Sequence, residues 1–228
     1  MTKKTGSMEK PKLTKEQVEP LIETKYMNML DLHYRQTGHY YSATRRKPDD
    51  TVALYSDSEF RAMLPDAANC AVIVLCPDGE PRMLLTKEFR YPVGQYLLSP
   101  PAGLIDSRDI SEPDPVISAA VREIREETGL ELGEGDRIFK INHLCFSTPG
   151  MTDESNALVC AVVKLPEGFE FNADQTEACE FIGDYALYSK ADALDLVKSG
   201  RDREGMFYSI YTLAALLYFL SDMWKEEA

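Results

Sequence analysis

Apolar and polar positions divide the chain into a short polar front, a strand-rich middle and a helical end. Residues 14–26 predict a short helix, since Thr14 followed by Gln17 matches a capping box, with Pro20 as an interior breaker. NMLDLHYR (28–35) and HYYSATRR (39–46) flank Gln36-Thr37-Gly38 and predict a two-stranded hairpin. The charged stretch 47–66 predicts a short helix starting near Ser58. From Asn69 onward, CAVIVLC, then Pro77-Asp78-Gly79, then RMLLTKEF predict a hairpin around a DG turn. YLLS and AGLI predict short strands, and residues 116–128 predict the clearest helix, stopped by Gly129. IFKINHLCF and ALVCAVVKL predict strands, residues 167–176 a polar loop, FIGDYAL a last strand, and 190–199 and 206–225 helices. Strands on both sides of a helix, with helices at the end, predict an α/β fold whose mixed sheet is sandwiched by helices. Residues 1–50 read as an accessory extension and 51–228 as the main domain.

Composition narrows the class. The 228 residues are 44% hydrophobic and 28% charged, an ordinary globular balance. A net charge of −13 excludes nucleic-acid and anionic-membrane partners, which need clustered cations. A phosphate-bearing substrate would therefore need metal ions or a few placed basic residues. Met206–Leu220 carries no charge, but it is short of the roughly 20 residues of a spanning helix and predicts a core helix. Five cysteines form no CxxC pair, and four lie in or beside apolar runs, as free thiols in a reducing compartment do. The polar N-terminus lacks a signal-peptide core, so a cytoplasmic location is expected. His33, His39 and His143 show no ligand spacing and receive no role.

The chemistry sits on the middle helix, Arg122-Glu123-Ile124-Arg125-Glu126-Glu127-Thr128-Gly129-Leu130. Glu123, Glu126 and Glu127 are spaced i, i+3, i+4 and share one face, while Val116, Ala120, Val121 and Ile124 form the side available for burial. Converging carboxylates repel unless a cation sits among them, and a hard divalent ion with oxygen ligands is the natural occupant. A lone pair of glutamates would read as a solvated acidic face. The full string instead has a chance frequency on the order of once in 10⁵ chains of this length.

That string resembles the second half of the signature of the Nudix hydrolase family, whose members cut diphosphates linked to a further moiety with divalent metals on this helix. The first half departs from the pattern. Gly103 lies nineteen positions before Arg122, about five more than the pattern has, and Asp114 stands where a Glu is expected. Lys87–Val93 with LLSPPAGLID, and Ser147–Glu154 after the signature, are similar to segments of ADP-ribose pyrophosphatases; Ser99 replaces their usual Glu. The resemblance implies a Nudix fold and hydrolysis of a nucleoside diphosphate-linked substrate, ADP-ribose foremost, to AMP and ribose 5-phosphate. It implies Mg²⁺, with Mn²⁺ as the alternative, on Glu123, Glu126, Glu127 and the Ala102 carbonyl. It further implies a substrate phosphate on Arg90, substrate contacts at Pro149, Gly150 and Glu154, a general base at Glu177 or Glu180, and a homodimer through the N-terminal strands. Another nucleoside diphosphate sugar or dinucleotide as substrate, and a non-catalytic nucleotide-sensing domain, are the alternatives.

Overall fold

The computed structural model describes residues 11–35, 37–172 and 181–226, and its contacts divide the chain into two compact units. The first runs through Leu64 and takes in Thr148–Glu154. Its strands β1 (Val18–Ile22), β2 (Asn28–Arg35) and β3 (Gly38–Thr44) form an antiparallel sheet in that order. The helix expected over 14–26 is instead one 3-10 turn, Lys15–Gln17, running straight into β1. Thr14 and Gln17 do form the capping box. Pro20, however, has no N–H, and its ring would collide with the carbonyl four residues back, so the helix cannot propagate. As an edge strand, β1 tolerates the missing donor. Helix α1 (Asp57–Ala62) starts beside the expected Ser58, capped by Ser56 and Glu59. The segment 148–154 joins this unit through backbone and side chain. The Ala43 N–H donates to the Met151 carbonyl (2.8 Å), and Asp153 accepts from the Thr51 hydroxyl (3.0 Å) and the Val52 N–H (3.1 Å).

The second unit holds the remaining strands: β4 (Ala67–Leu75), β5 (Pro81–Arg90), β6 (Gln95–Ser99), β7 (Ala102–Leu104), β8 (Arg137–Phe146), β9 (Ser155–Lys164) and β10 (Ile182–Tyr188). The path is β10-β5-β4-β9-β8, with β6 beside β5 and β7 beside β4. Only β4 and β9 run parallel, so the sheet is mixed. The β4–β5 turn is closed by the Gly79 N–H on the Cys76 carbonyl (2.9 Å), with Gly79 at φ +86°. That left-handed backbone is what the DG pair supplies.

Among the described residues, four α-helices belong to this unit: α2 (Ser107–Ile110), α3 (Pro115–Thr128), α4 (Lys190–Ser199) and α5 (Ile210–Ser221). Ala71 and Ile73 of β4 share a buried cluster with Leu196 of α4 and Leu216 and Phe219 of α5. The Cys70 thiol instead touches the Ala120 carbonyl of α3 (3.9 Å). Alternating β4 side chains point to opposite faces, so helices cover the sheet on both sides. The continuous apolar run of β4 is the sequence consequence of that double burial. Helix α5 is shorter than the expected 206–225, because Ser209 caps it and the residues before it stay extended. The Leu98 N–H donates to the Phe207 carbonyl at 2.9 Å. Among the described residues, no helix is long and apolar enough to cross a membrane.

Candidate metal centre

Helix α3 begins and ends for local reasons. Asp114 caps it by accepting from the Ile117 N–H (3.3 Å), Pro115 occupies the first turn, and Gly129 at φ +74° terminates it with its N–H on the Arg125 carbonyl. Asp114, the residue standing in for an expected Glu, therefore serves the helix start. Its other oxygen receives Lys140 (2.6 Å).

The signature residues meet β7 in order. Glu127 Oε1 lies 3.5 Å from the Ala102 nitrogen, Glu123 lies against Gly103, and the Arg122 guanidinium donates to the Leu104 carbonyl (2.8 Å). A β-carbon on Gly103 would overlap the Glu123 carboxylate, which explains a glycine here. One expectation is corrected. Glu123 and Glu127 are each only 7% exposed and belong to the buried face of α3 with Val116, Ala120 and Ile124. Positions 116, 120, 123, 124 and 127 form a single stripe at helical spacing, and the polar backbone of β7 lets its last turns carry carboxylates.

Arg122 organises the cluster. Its guanidinium contacts Glu123 (2.6 Å), Glu126 (3.1 Å) and Asp109 (2.9 Å). Asp109 comes from α2, inside the insertion that lengthens the spacing from Gly103 to Arg122, and is 1% exposed. Burial alone would raise its carboxyl, but hydrogen bonds from Arg122, the Asp106 N–H and Ser118 hold it below the usual carboxylate range. Burial likewise works against the Arg122 charge, and Asp109 and Glu123 more than restore it. Beneath the helix, burial pushes the Cys70 thiol well up, and the charges of Glu127 and Glu123 add to the effect. At the C-terminal end of α3, the Tyr185 hydroxyl donates to the Glu127 carbonyl (2.7 Å), and Phe171 stacks on the Tyr185 ring.

One guanidinium thus faces three carboxylates, with Glu127 adjacent. The ligand atoms of Glu123, Glu126 and Glu127 do not all lie within 4.8 Å of one another; like charges repel, and Arg122 bridges the first two. An all-oxygen donor set with excess negative charge fits a hard divalent cation such as Mg²⁺. A cavity of about 650 Å³ lined by Lys87, Tyr188, Asp192, Leu196 and Glu204 includes none of these glutamates.

Arg90 ends β5 with its guanidinium on Glu88 (2.6 Å) and is about half exposed. Pro149, Gly150 and Glu154 belong to the first unit, where the Tyr40 hydroxyl donates to the Gly150 carbonyl (3.0 Å) and Glu154 pairs with Arg45 (2.6 Å). Glu177 and Glu180 lie outside the described residues. Ser99 is buried, and its carbonyl accepts from the Thr86 hydroxyl (3.1 Å). The sequence reading missed Asp109 and Tyr185. Asp109 carried only the signal of its capping pair with Asp106, and nothing local pointed from there to Arg122.

The NUDIX domain family profile matches residues 66–204. An ADP-ribose pyrophosphatase of Saccharomyces cerevisiae is 35% identical over 120 residues, 51% of this chain and 48% of that protein. An ADP-ribose pyrophosphatase of Mycobacterium tuberculosis is 30% identical over 110 residues, 46% of this chain and 49% of that protein. An uncharacterized Nudix hydrolase of Schizosaccharomyces pombe is 31% identical over 106 residues, 46% of this chain and 47% of that protein. The chain spans about half the length of these curated relatives. A solved ADP compounds hydrolase is similar in fold, at a TM-score of 0.55 and 18% identity, covering 97% of each chain. With the signature helix, the mixed sheet covered on both faces and a profile match across most of the second unit, the chain belongs to the Nudix domain family.

Proposed function

We propose that this chain hydrolyses the diphosphate bond of a nucleoside diphosphate-linked substrate, ADP-ribose foremost, releasing AMP and ribose 5-phosphate. The observation that carries the reading is the placement of Glu127 at Ala102 and of Glu123 at Gly103, with Arg122 joining Glu123 to Glu126 and itself held by Asp109. These glutamates, with the Ala102 carbonyl, would hold Mg²⁺ or Mn²⁺. The ion when bound neutralises the diphosphate and makes its phosphorus more electrophilic. The protein's own part is positional. Helix α3 and β7 fix the carboxylates from two directions, and burial of Glu123 and Glu127 restricts competing water. Arg90 would grip a substrate phosphate through its guanidinium fork, released from Glu88. Glu177 or Glu180 would take the proton of the attacking water. The free thiols of Cys70, Cys76, Cys145 and Cys160 support a reducing, cytoplasmic setting.

Ser99, in place of the Glu of ADP-ribose pyrophosphatases, favours a second reading in which another nucleoside diphosphate sugar or a dinucleotide is preferred. A panel of ADP-ribose, UDP-sugars and dinucleoside diphosphates with Mg²⁺, scored by released nucleoside monophosphate, separates the two. Fastest AMP release from ADP-ribose is expected. Binding of nucleotides without hydrolysis of any would replace the enzyme reading with a nucleotide-sensing one.

A further inference from the structure

We propose that Glu19, Asp31, His33 and His39 form a second metal site, for a divalent transition ion of the zinc class, on the three-stranded sheet of the first unit. The strand register brings the four together. Glu19 of β1 lies opposite Asp31 of β2, and His33 of β2 lies opposite His39 of β3. Asp31 and His33 are two apart, so they share a face of β2. Among the described residues, Asp31, His33 and His39 are the one set of three ligand groups whose ligand atoms all lie within 4.8 Å of one another.

Two buried atoms point to a ligand. The Asp31 side chain is 6% exposed; its Oδ2 takes His39 Nδ1 at 2.7 Å, while its Oδ1 has no hydrogen-bond partner. His33 Nε2 is also buried without a hydrogen bond, although it stands 3.3 Å from Asp31 Oδ2 and 3.2 Å from Glu19 Oε2. Those distances are ion-pair distances in a geometry unsuited to an N–H donor. They match the edge of a tetrahedron whose metal–nitrogen and metal–oxygen bonds are about 2.0–2.1 Å, roughly 3.3 Å. A His–Asp hydrogen bond alone accounts for His39 and one Asp31 oxygen, and leaves His33 Nε2 and Asp31 Oδ1 unexplained.

Ligand chemistry selects the ion. Two imidazoles with two carboxylates suit zinc, whereas magnesium prefers oxygen throughout, so this site and the α3 carboxylates would sort different ions. Two carboxylates also match a divalent charge. An ion there would clip β1, β2 and β3 to one another at a single point.

The test uses the full chain, stripped by a chelator and titrated with Zn²⁺ under excess Mg²⁺ to occupy the α3 carboxylates. About one Zn²⁺ per chain should bind the wild type and an E126Q/E127Q variant alike, and that ion should be lost in H33Q/H39Q and weakened at least about 10-fold in D31N. Circular dichroism checks that each variant folds. Retention of the ion by folded H33Q/H39Q, or its loss in E126Q/E127Q, would overturn the proposal. Should H33Q/H39Q fail to fold, Co²⁺ loaded into the wild type decides the matter. Paramagnetically shifted imidazole signals from two of the three histidines, with His143 unshifted, are expected. Absence of such signals would overturn the site.

Discussion

Each carboxylate near Arg122 has a separable part. Glu126 and Glu127 are proposed metal ligands, so E126Q or E127Q should lower kcat by about 10³-fold, the equivalent of about 4 kcal/mol, while an isosteric amide leaves the melting temperature nearly unchanged. Near-wild-type turnover in both variants would remove the metal assignment. Asp109 is different, because it is a buried partner that orients Arg122. D109A would leave that guanidinium to Glu123, Glu126 and the Leu104 carbonyl, and should cost about 2 kcal/mol of stability, measured by urea unfolding. Its pH signature follows from a folded-state pKa held below the unfolded value. Stability from Asp109 is fully present above about pH 4, the unfolded value, and is lost as the pH falls through the folded one. Asp106, drawn down to about 2 by Arg108 despite some burial, adds a smaller and solvent-screened share in the same window. D109N should therefore flatten the loss of stability as the pH falls below about 4. An unchanged acid slope would show that the Arg122 pair contributes nothing there.

Helix α3 was legible as an element because its stop at Gly129, its 3.6 period and its nine-residue signature agree. Thr14–Gln17 shows the opposite case, a genuine cap signal that Pro20 prevents from becoming a helix. The cap at Asp114 leads to a prediction that separates structure from catalysis. D114A removes the acceptor of the Ile117 N–H and the partner of Lys140, and should cost about 1 kcal/mol of stability while kcat changes little. A kcat loss matching that of E126Q would make Asp114 part of the chemistry instead. The extra residues between Gly103 and Arg122 received no element from the sequence. They fold as α2, whose single turn presents Asp109 to the signature arginine, and no local periodicity carried that long-range purpose.

For the molecule as a whole, charge and exposed apolar surface set the expectations. With a net charge of −13 and an anionic substrate, each substrate–carboxylate pair at about 4 Å opposes binding by roughly 4 kcal/mol at an effective dielectric near 20. Hydrolysis of ADP-ribose should therefore cease in EDTA, return with Mg²⁺, and be fastest above neutral pH, where the acidic cluster is fully ionised. Full activity in EDTA, or an optimum near pH 5, would refute a carboxylate-held metal. The three-stranded sheet is small and leaves Leu21, Ile22, Tyr40 and Tyr41 exposed, the kind of apolar surface that marks an interface. We propose that it mediates a homodimer. Sedimentation at micromolar concentration should give twice the chain mass, and a monomer would count against it.

The sequence by itself determined the helix that carries Glu123, Glu126 and Glu127, its stop at Gly129, the hairpin around Pro77-Asp78-Gly79 and the family. Each is written in contiguous residues through a short period or a fixed string. Tertiary structure decided the rest. It placed Glu123 and Glu127 in the buried stripe because β7 supplies a polar backbone wall, and it set the Glu123 carboxylate where a β-carbon on Gly103 would lie. It also brought His33 and His39 together with Asp31 and Glu19, although the histidines show no ligand spacing along the chain. Cross-strand register, and not spacing in sequence, sets which side chains meet on a sheet.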